Sequence, residues 1–453
     1  MRYIALVLAA FLASITAAAA GETPVVHHAV SSVPAAQAAF DRGLLDYYAY
    51  NPEAAEHEFY TAADLDPHLA MAWWGIALSN APNLNVPPTD DRDDQARFAV
   101  RKAKRLETYA SAEDAALIDA AAARFDGDSK AKLNDLQIAY RDALQRVAKQ
   151  YPGDPDVATL YAEAALYVTF APYPDSYGKL DAKQRAESEA AFAALLPYYQ
   201  TELARFPKHV GLIHFYVHTA QLGGQSRVAV DAAKQLAAFA FADEDSHLTH
   251  MSGHTFFDVG MYDAALDVGE RSVAMDDAAV ACCHPGYYSA VRYYHNHNVS
   301  FLLYAMTQTG HLDESIAVAT RANVPDFLAA QLVAAGRWQD VLAVPFSKTS
   351  SARLYYARAL ALAKLGQTAA AEQTIAGLPK ERDASSYSRL VDKAMAQTVA
   401  GEIALAKNDD SAALAAFVAA SGAMNDAQTI QAAEYPPLYS TRRTSHSRIL
   451  RCS

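Results

Sequence analysis

Between residues 39 and 67 the small and apolar side chains recur at helical rather than strand spacing. Gly43, Ala55, Phe59, Ala62 and Pro67 fall at positions 8, 20, 24, 27 and 32 of a helix-turn-helix unit about 34 residues long. Small residues at positions 8 and 20 let two helices approach, an aromatic at 24 fills the space between them, and proline ends the second helix. The same phase returns along the chain. Gly224, Gly260, Gly310, Gly336 and Gly366 mark turns at position 15, with Ala229, Ala265 and Ala371 five residues further on. Gly401, Phe417 and Ala420 repeat positions 8, 24 and 27 in a last unit. A helical pair of this kind cannot bury its apolar stripe alone, so stacked copies share one continuous core. Proline- and aspartate-rich breaks are expected at 80–94, 151–156 and 171–177, the last two flanking a helix that carries Tyr161, Glu163 and Tyr167.

This pattern resembles the tetratricopeptide repeat. The resemblance implies an all-α fold, an α-solenoid in which antiparallel helix pairs wind into a superhelix. More narrowly, the chain is similar to a group of exported bacterial tetratricopeptide-repeat proteins. The segments that carry this likeness are Phe40-Asp41-Arg42-Gly43-Leu44, Ala72-Trp73-Trp74-Gly75, Ala81-Pro82-Asn83-Leu84-Asn85, Asp154-Pro155-Asp156, Tyr161-Ala162-Glu163-Ala164, His214 to His218, and a His-x-x-His-Met-x-x-His stretch from His247 to His254. Ser252 and Gly253 replace the Pro-Ser usual in that stretch but keep its spacing. The likeness runs from about His27 to Glu434 and brings no activity with it.

Arg2, the apolar run from Ile4 to Ala20 and the polar Gly21-Glu22-Thr23-Pro24 predict a secretory signal peptide over 1–20 and a periplasmic or secreted product. No later apolar run is long enough to span a bilayer, so no membrane span is expected after signal removal. The expected organisation is then an N-terminal repeat-like region at 21–150, a histidine-rich central region at 151–345, C-terminal repeat helices at 346–434 and a disordered tail at 435–453. A formal net charge of −13 argues against a nucleic-acid partner, which needs clustered cations. The basic run Arg101 to Arg105 reads as a solvated helix face. Three cysteines, Cys282, Cys283 and Cys452, cannot build a disulfide framework, and Cys282-Cys283-His284 is not a haem-attachment motif.

Nine of the 15 histidines crowd into residues 209–297, where an even spread would place about three. His214 with His218, and His250 with His254, stand four residues apart, which puts both rings of each pair on one helix face. With Gly224, Gly260 and Gly310 at position 15, the two pairs share positions 5 and 9, and His247 and His297 share position 2. The family resemblance implies that these positions face a concave groove. Neutral imidazole is the usual ligand for Zn, Cu or Fe, so His214, His218, His250 and His254 are the first candidate ligands, with His247, His297 and His295 beside them. A second helical pair is expected to complete the shell of the first. Asp258 and Glu163 are candidate oxygen ligands or bases, and Tyr216, Tyr293 and Tyr294 candidate pocket walls. Glu163 is the candidate catalytic residue for a metal-dependent hydrolase or oxidoreductase, although no nucleophile–base pairing is visible. The alternatives are a metal-free scaffold that holds a peptide or protein partner in the same groove, and histidines that are purely structural.

Overall fold

Alanine-rich, unbranched sequence and regularly spaced turns leave the chain little choice but helix. A computed structural model describes residues 22–24, 26–86, 88–125, 132–170, 182–282, 288–378 and 386–430. The 1–20 segment, the break at 171–177, Cys283, His284, Cys452 and the 435–453 tail lie outside the described residues, as do the side chains of Cys282 and Tyr293.

The helices run in the order α1 (Pro34–Tyr48), α2 (Pro52–Leu65), α3 (Ala70–Ser79), α4 (Asp90–Leu106), α5 (Ala112–Phe125), α6 (Leu133–Gln150) and α7 (Pro155–Phe170). Then come α8 (Ala182–Ala193), α9 (Leu196–Arg205), α10 (Val210–Leu222), α11 (Val230–Ala238), α12 (Ser246–Val259), α13 (Tyr262–Cys282) and α14 (Tyr288–Thr309). The array continues with α15 (Leu312–Ala322), α16 (Pro325–Ala334), α17 (Trp338–Ala343), α18 (Ala352–Lys364), α19 (Thr368–Ala376), α20 (Ser386–Ala406) and α21 (Asp410–Ile430). No strand occurs among the described residues, only an isolated bridge between Glu22 and Phe239. The fold is an all-α solenoid of the tetratricopeptide type.

The repeat phase holds at the backbone. Gly224, Gly260, Gly310, Gly336 and Gly366 all have positive φ, between +64° and +90°, where a side chain would be strained. Asn408 fills the same turn in the last pair at φ +59°. Close packing holds as well. A Cβ on Gly75 would sit 2.5 Å from the Phe59 ring, and one on Gly401 2.6 Å from Phe417. One boundary differs from the sequence reading. The break expected at 80–94 ends at Thr89, whose hydroxyl accepts from Arg92 N, and Asp90, Asp91 and Asp93 occupy the first turn of α4. Aspartates at a helix start complement its dipole, and that outweighed their loop-like composition.

From α10 onward, the first helix of each pair packs on the first helix of the next: α10 on α12, α12 on α14, α14 on α16, α16 on α18 and α18 on α20. The same α10 also touches α1 and α7. This row brings the histidine-bearing helices side by side.

Candidate metal centre

His209 precedes helix α10 and its side chain caps it by accepting from Leu212 N, and the helix then offers His214 and His218 one turn apart. Helix α12 carries His247, His250 and His254, and α14 carries His297. Their rings form two sets of three, His214 with His218 and His247, and His250 with His254 and His297. Within each set one nitrogen per ring lies within 4.8 Å of the others, and neither set includes a carboxylate. Neither set joins the two pairs, whereas the sequence reading expected the second pair to complete the shell of the first. Each pair is completed by the position-2 histidine of the following repeat. A position-2 ring sits near the start of its helix and leans towards that helix's N-terminus, whereas the next pair lies further along.

In the first set, His214 Nδ1 is 2.6 Å from the carbonyl oxygen of Tyr48. A carbonyl only accepts, so Nδ1 carries the proton and the Nε2 lone pair is free. That Nε2 lies 3.3 Å from His247 Nε2, which Asn85 Nδ2 also approaches at 3.4 Å. His218 Nε2 and His247 Nδ1 are buried with no hydrogen-bond partner among the described residues. In the second set, His254 Nε2 lies 2.8 Å from His250 Nε2 and 3.3 Å from His297 Nε2, while Gln221 Nε2 donates to His254 Nδ1 at 2.7 Å. Two nitrogens bound about 2.0–2.1 Å from one tetrahedral ion stand roughly 3.3 Å apart, so the 3.3 Å separations suit a shared metal, whereas the 2.8 Å between His250 and His254 is a hydrogen-bond length. A fixed proton on the far ring nitrogen, as on His214 Nδ1, is the usual outer support of a histidine ligand.

Burial and mutual repulsion keep the rings neutral. Burial pushes His214 down to about 3 and His297 to about 4, and burial followed by the neighbouring imidazoles pushes His218, His247, His250 and His254 well below the usual range. A neutral imidazole is the form that binds metal.

Tyr294 stacks on His247 at 4.5 Å between centroids, and Phe301 lies 4.4–4.8 Å from His250, His254 and His297. Sequence reasoning missed Tyr50. It occupies turn position 15 of the first repeat, where later turns have glycine or asparagine, and it holds φ +54°. Its ring lies 5.1 Å from His214, 5.7 Å from His218 and 6.1 Å from His247, and its hydroxyl is buried with no partner among the described residues. A tyrosine in a glycine conformation costs on the order of 1–2 kcal/mol, and such strain gathers at functional sites. The missing glycine in the first repeat was the available signal.

Other candidates lie elsewhere. His295 faces Asp276 at 3.5 Å rather than either set. Tyr216 donates to the Val228 carbonyl, and Asp258 accepts from Ser226. Glu163 is buried with Tyr47 Oη 3.4 Å away, and burial raises it to about 7 against the pull of Arg124. Met251 belongs to the hydrophobic core. A different histidine cluster also went unread. His28 Nε2 lies 2.9 Å from Asp114, and its Nδ1 lies 3.4 and 3.5 Å from Asp154 and Asp156. His209 Nε2 and Tyr48 Oη both donate to Asp156, at 3.0 and 2.6 Å. Burial works against the charge on His28, but its carboxylate partners prevail and push it up to about 12.

No family model and no curated protein matches the chain. Solved structures similar to it include the P58(IPK) TPR domain, at 13% identity and TM-score 0.26 over 91% of this chain and 99% of that one. The APC/C hetero-tetramer Cut9-Hcn1 matches at 14% identity and TM-score 0.30, over 92% and 76%. Naa15/Naa10 bound to HypK-THB matches at 11% identity and TM-score 0.25, over 92% and 87%.

Proposed function

We propose that this chain is an exported repeat protein that binds a transition metal ion, of the Zn, Cu or Fe class, through its histidine sets. The observation that carries this reading is the Tyr48 carbonyl on His214 Nδ1, which turns the Nε2 lone pair towards His247. The unpartnered buried Nε2 of His218 supports it, because leaving such a group unsatisfied costs about 1–3 kcal/mol. A metal-free groove for a peptide requires exposed rings, whereas five of the six are buried and turned on one another.

The test is metal analysis of protein purified without a polyhistidine tag, with thermal melts after adding Zn, Cu, Fe, Ni or Mn. Bound metal, and a melting rise abolished by His214→Ala with His250→Ala, is the expected result. No bound metal and no shift with any ion would sink the reading. Partner capture unaffected by metal removal would favour the scaffold instead.

A further inference from the structure

We infer that the two histidine sets load together as one dinuclear centre, in which two ions, each held by three neutral imidazoles, share a small bridging anion. The inference rests on the metal-binding reading above and goes beyond it in the number of ions and in the ligand they share.

Three observations carry it. The sets are built alike, each from an i,i+4 pair on one inner helix and a position-2 histidine on the next. They also adjoin, because α12 supplies a ligand to both. His247 belongs to the first set and His250 to the second, with their ring centroids 6.3 Å apart. Finally, both sets lack carboxylates. Carboxylate and water ligands suit Mg, Ca and Mn, whereas imidazole suits Cu, Zn, Fe and Ni, and copper(II) binds such nitrogen sites most tightly of the divalent series.

Charge then argues for the anion. Two dications among six neutral rings place four positive charges in a buried region, and an uncompensated buried charge is costly. With three protein ligands apiece, each ion keeps an open position for a solvent-derived or exogenous ligand. A single hydroxide, or another small anion such as azide, placed between the ions lowers the charge of both. Ions bridged in this way stand about 3.5–4 Å apart. Tyr50, held at positive φ, packs its ring against the first set.

The experiment loads tag-free, full-length protein with copper(II) alone and measures bound copper per chain together with the electron paramagnetic resonance signal. Two ions per chain with most of the signal lost through coupling is the expected result. His218→Gln removes a ligand whose Nε2 has no partner among the described residues, and His297→Gln removes one from the other set. Each variant should bind one ion and regain a full signal per copper. Should a variant fail to fold, stoichiometry and signal of the unaltered protein still decide. One ion per chain overturns the pair and leaves metal binding standing. Two ions with undiminished signal overturn the bridge. No bound copper overturns the pair, and no bound zinc or iron in the metal analysis above overturns the metal reading with it.

Discussion

Two buried groups of histidines in this molecule have opposite electrostatic surroundings. Around α10, α12 and α14, rings face rings, and burial with mutual repulsion keeps them neutral. Around His28, a ring faces three aspartates and is held charged, while Asp156 is drawn well below its ordinary range by His209 and His28 despite burial. Burial acts in the same direction at both places. The company each ring keeps decides its charge, and with it whether the ring can offer a lone pair to a cation or instead serves as a cation itself.

The largest expected effect separates the groups by pH in metal-stripped protein. The six clustered rings have folded values depressed below the unfolded 6.5, so their stability is fully present above pH 6.5 and is lost as pH falls. Each contributes about 1.4 kcal/mol per pH unit, up to about 8 kcal/mol per unit for six. His28 has a raised folded value, so its contribution is complete below pH 6.5 and is lost as pH rises towards about 12. The depressed Asp156 contributes fully above its unfolded value near 4 and is lost as pH falls below it. Denaturant melts from pH 4 to 9 should therefore show steep acid lability below 6.5. A flat profile there would mean that the rings titrate normally.

Next in size, His28→Ala should cost about 3–5 kcal/mol, because it leaves buried aspartates without their cation. The matching change in the other group, His218→Ala, removes no hydrogen bond to Nε2 and should cost less in metal-free protein. Equal losses in urea titrations would erase the distinction between the groups. Metal then reverses the ranking. A hundredfold excess over the dissociation constant should stabilise the unaltered protein by about 2.7 kcal/mol per ion, and chelation should remove that gain. His28→Ala should keep the gain and His218→Ala should lose part of it, as scanning calorimetry would report. The smallest effect belongs to Tyr50→Phe. Removing an unsatisfied buried hydroxyl should stabilise the metal-free protein by about 1 kcal/mol while keeping the ring against His214. A loss of stability would show that the hydroxyl has a partner.

Much of the candidate site was legible because it follows from local rules. A four-residue spacing puts His214 with His218 and His250 with His254 on shared faces, whatever the rest of the fold does. The turn glycines fixed the phase, and phase alone aligned His247 with His297. The structure then added which nitrogens meet. That His247 belongs with His214, and His297 with His254, depends on how far each helix is offset along its neighbour, which no spacing within one helix reveals. The His28 group was illegible for a related reason. Its partners lie 86 residues or more away in sequence, and nothing local marks one histidine in an N-terminal segment as a buried cation.

The sequence by itself determined the helices, the repeat phase and the supply of imidazoles, since each follows from contacts within about 34 residues. Only tertiary structure decided the charge of each histidine, the grouping into two sets and the placing of Tyr50 against the first. Those outcomes depend on desolvation and on partners brought together from distant helices. Such terms arise when the array stacks, and no single repeat contains them.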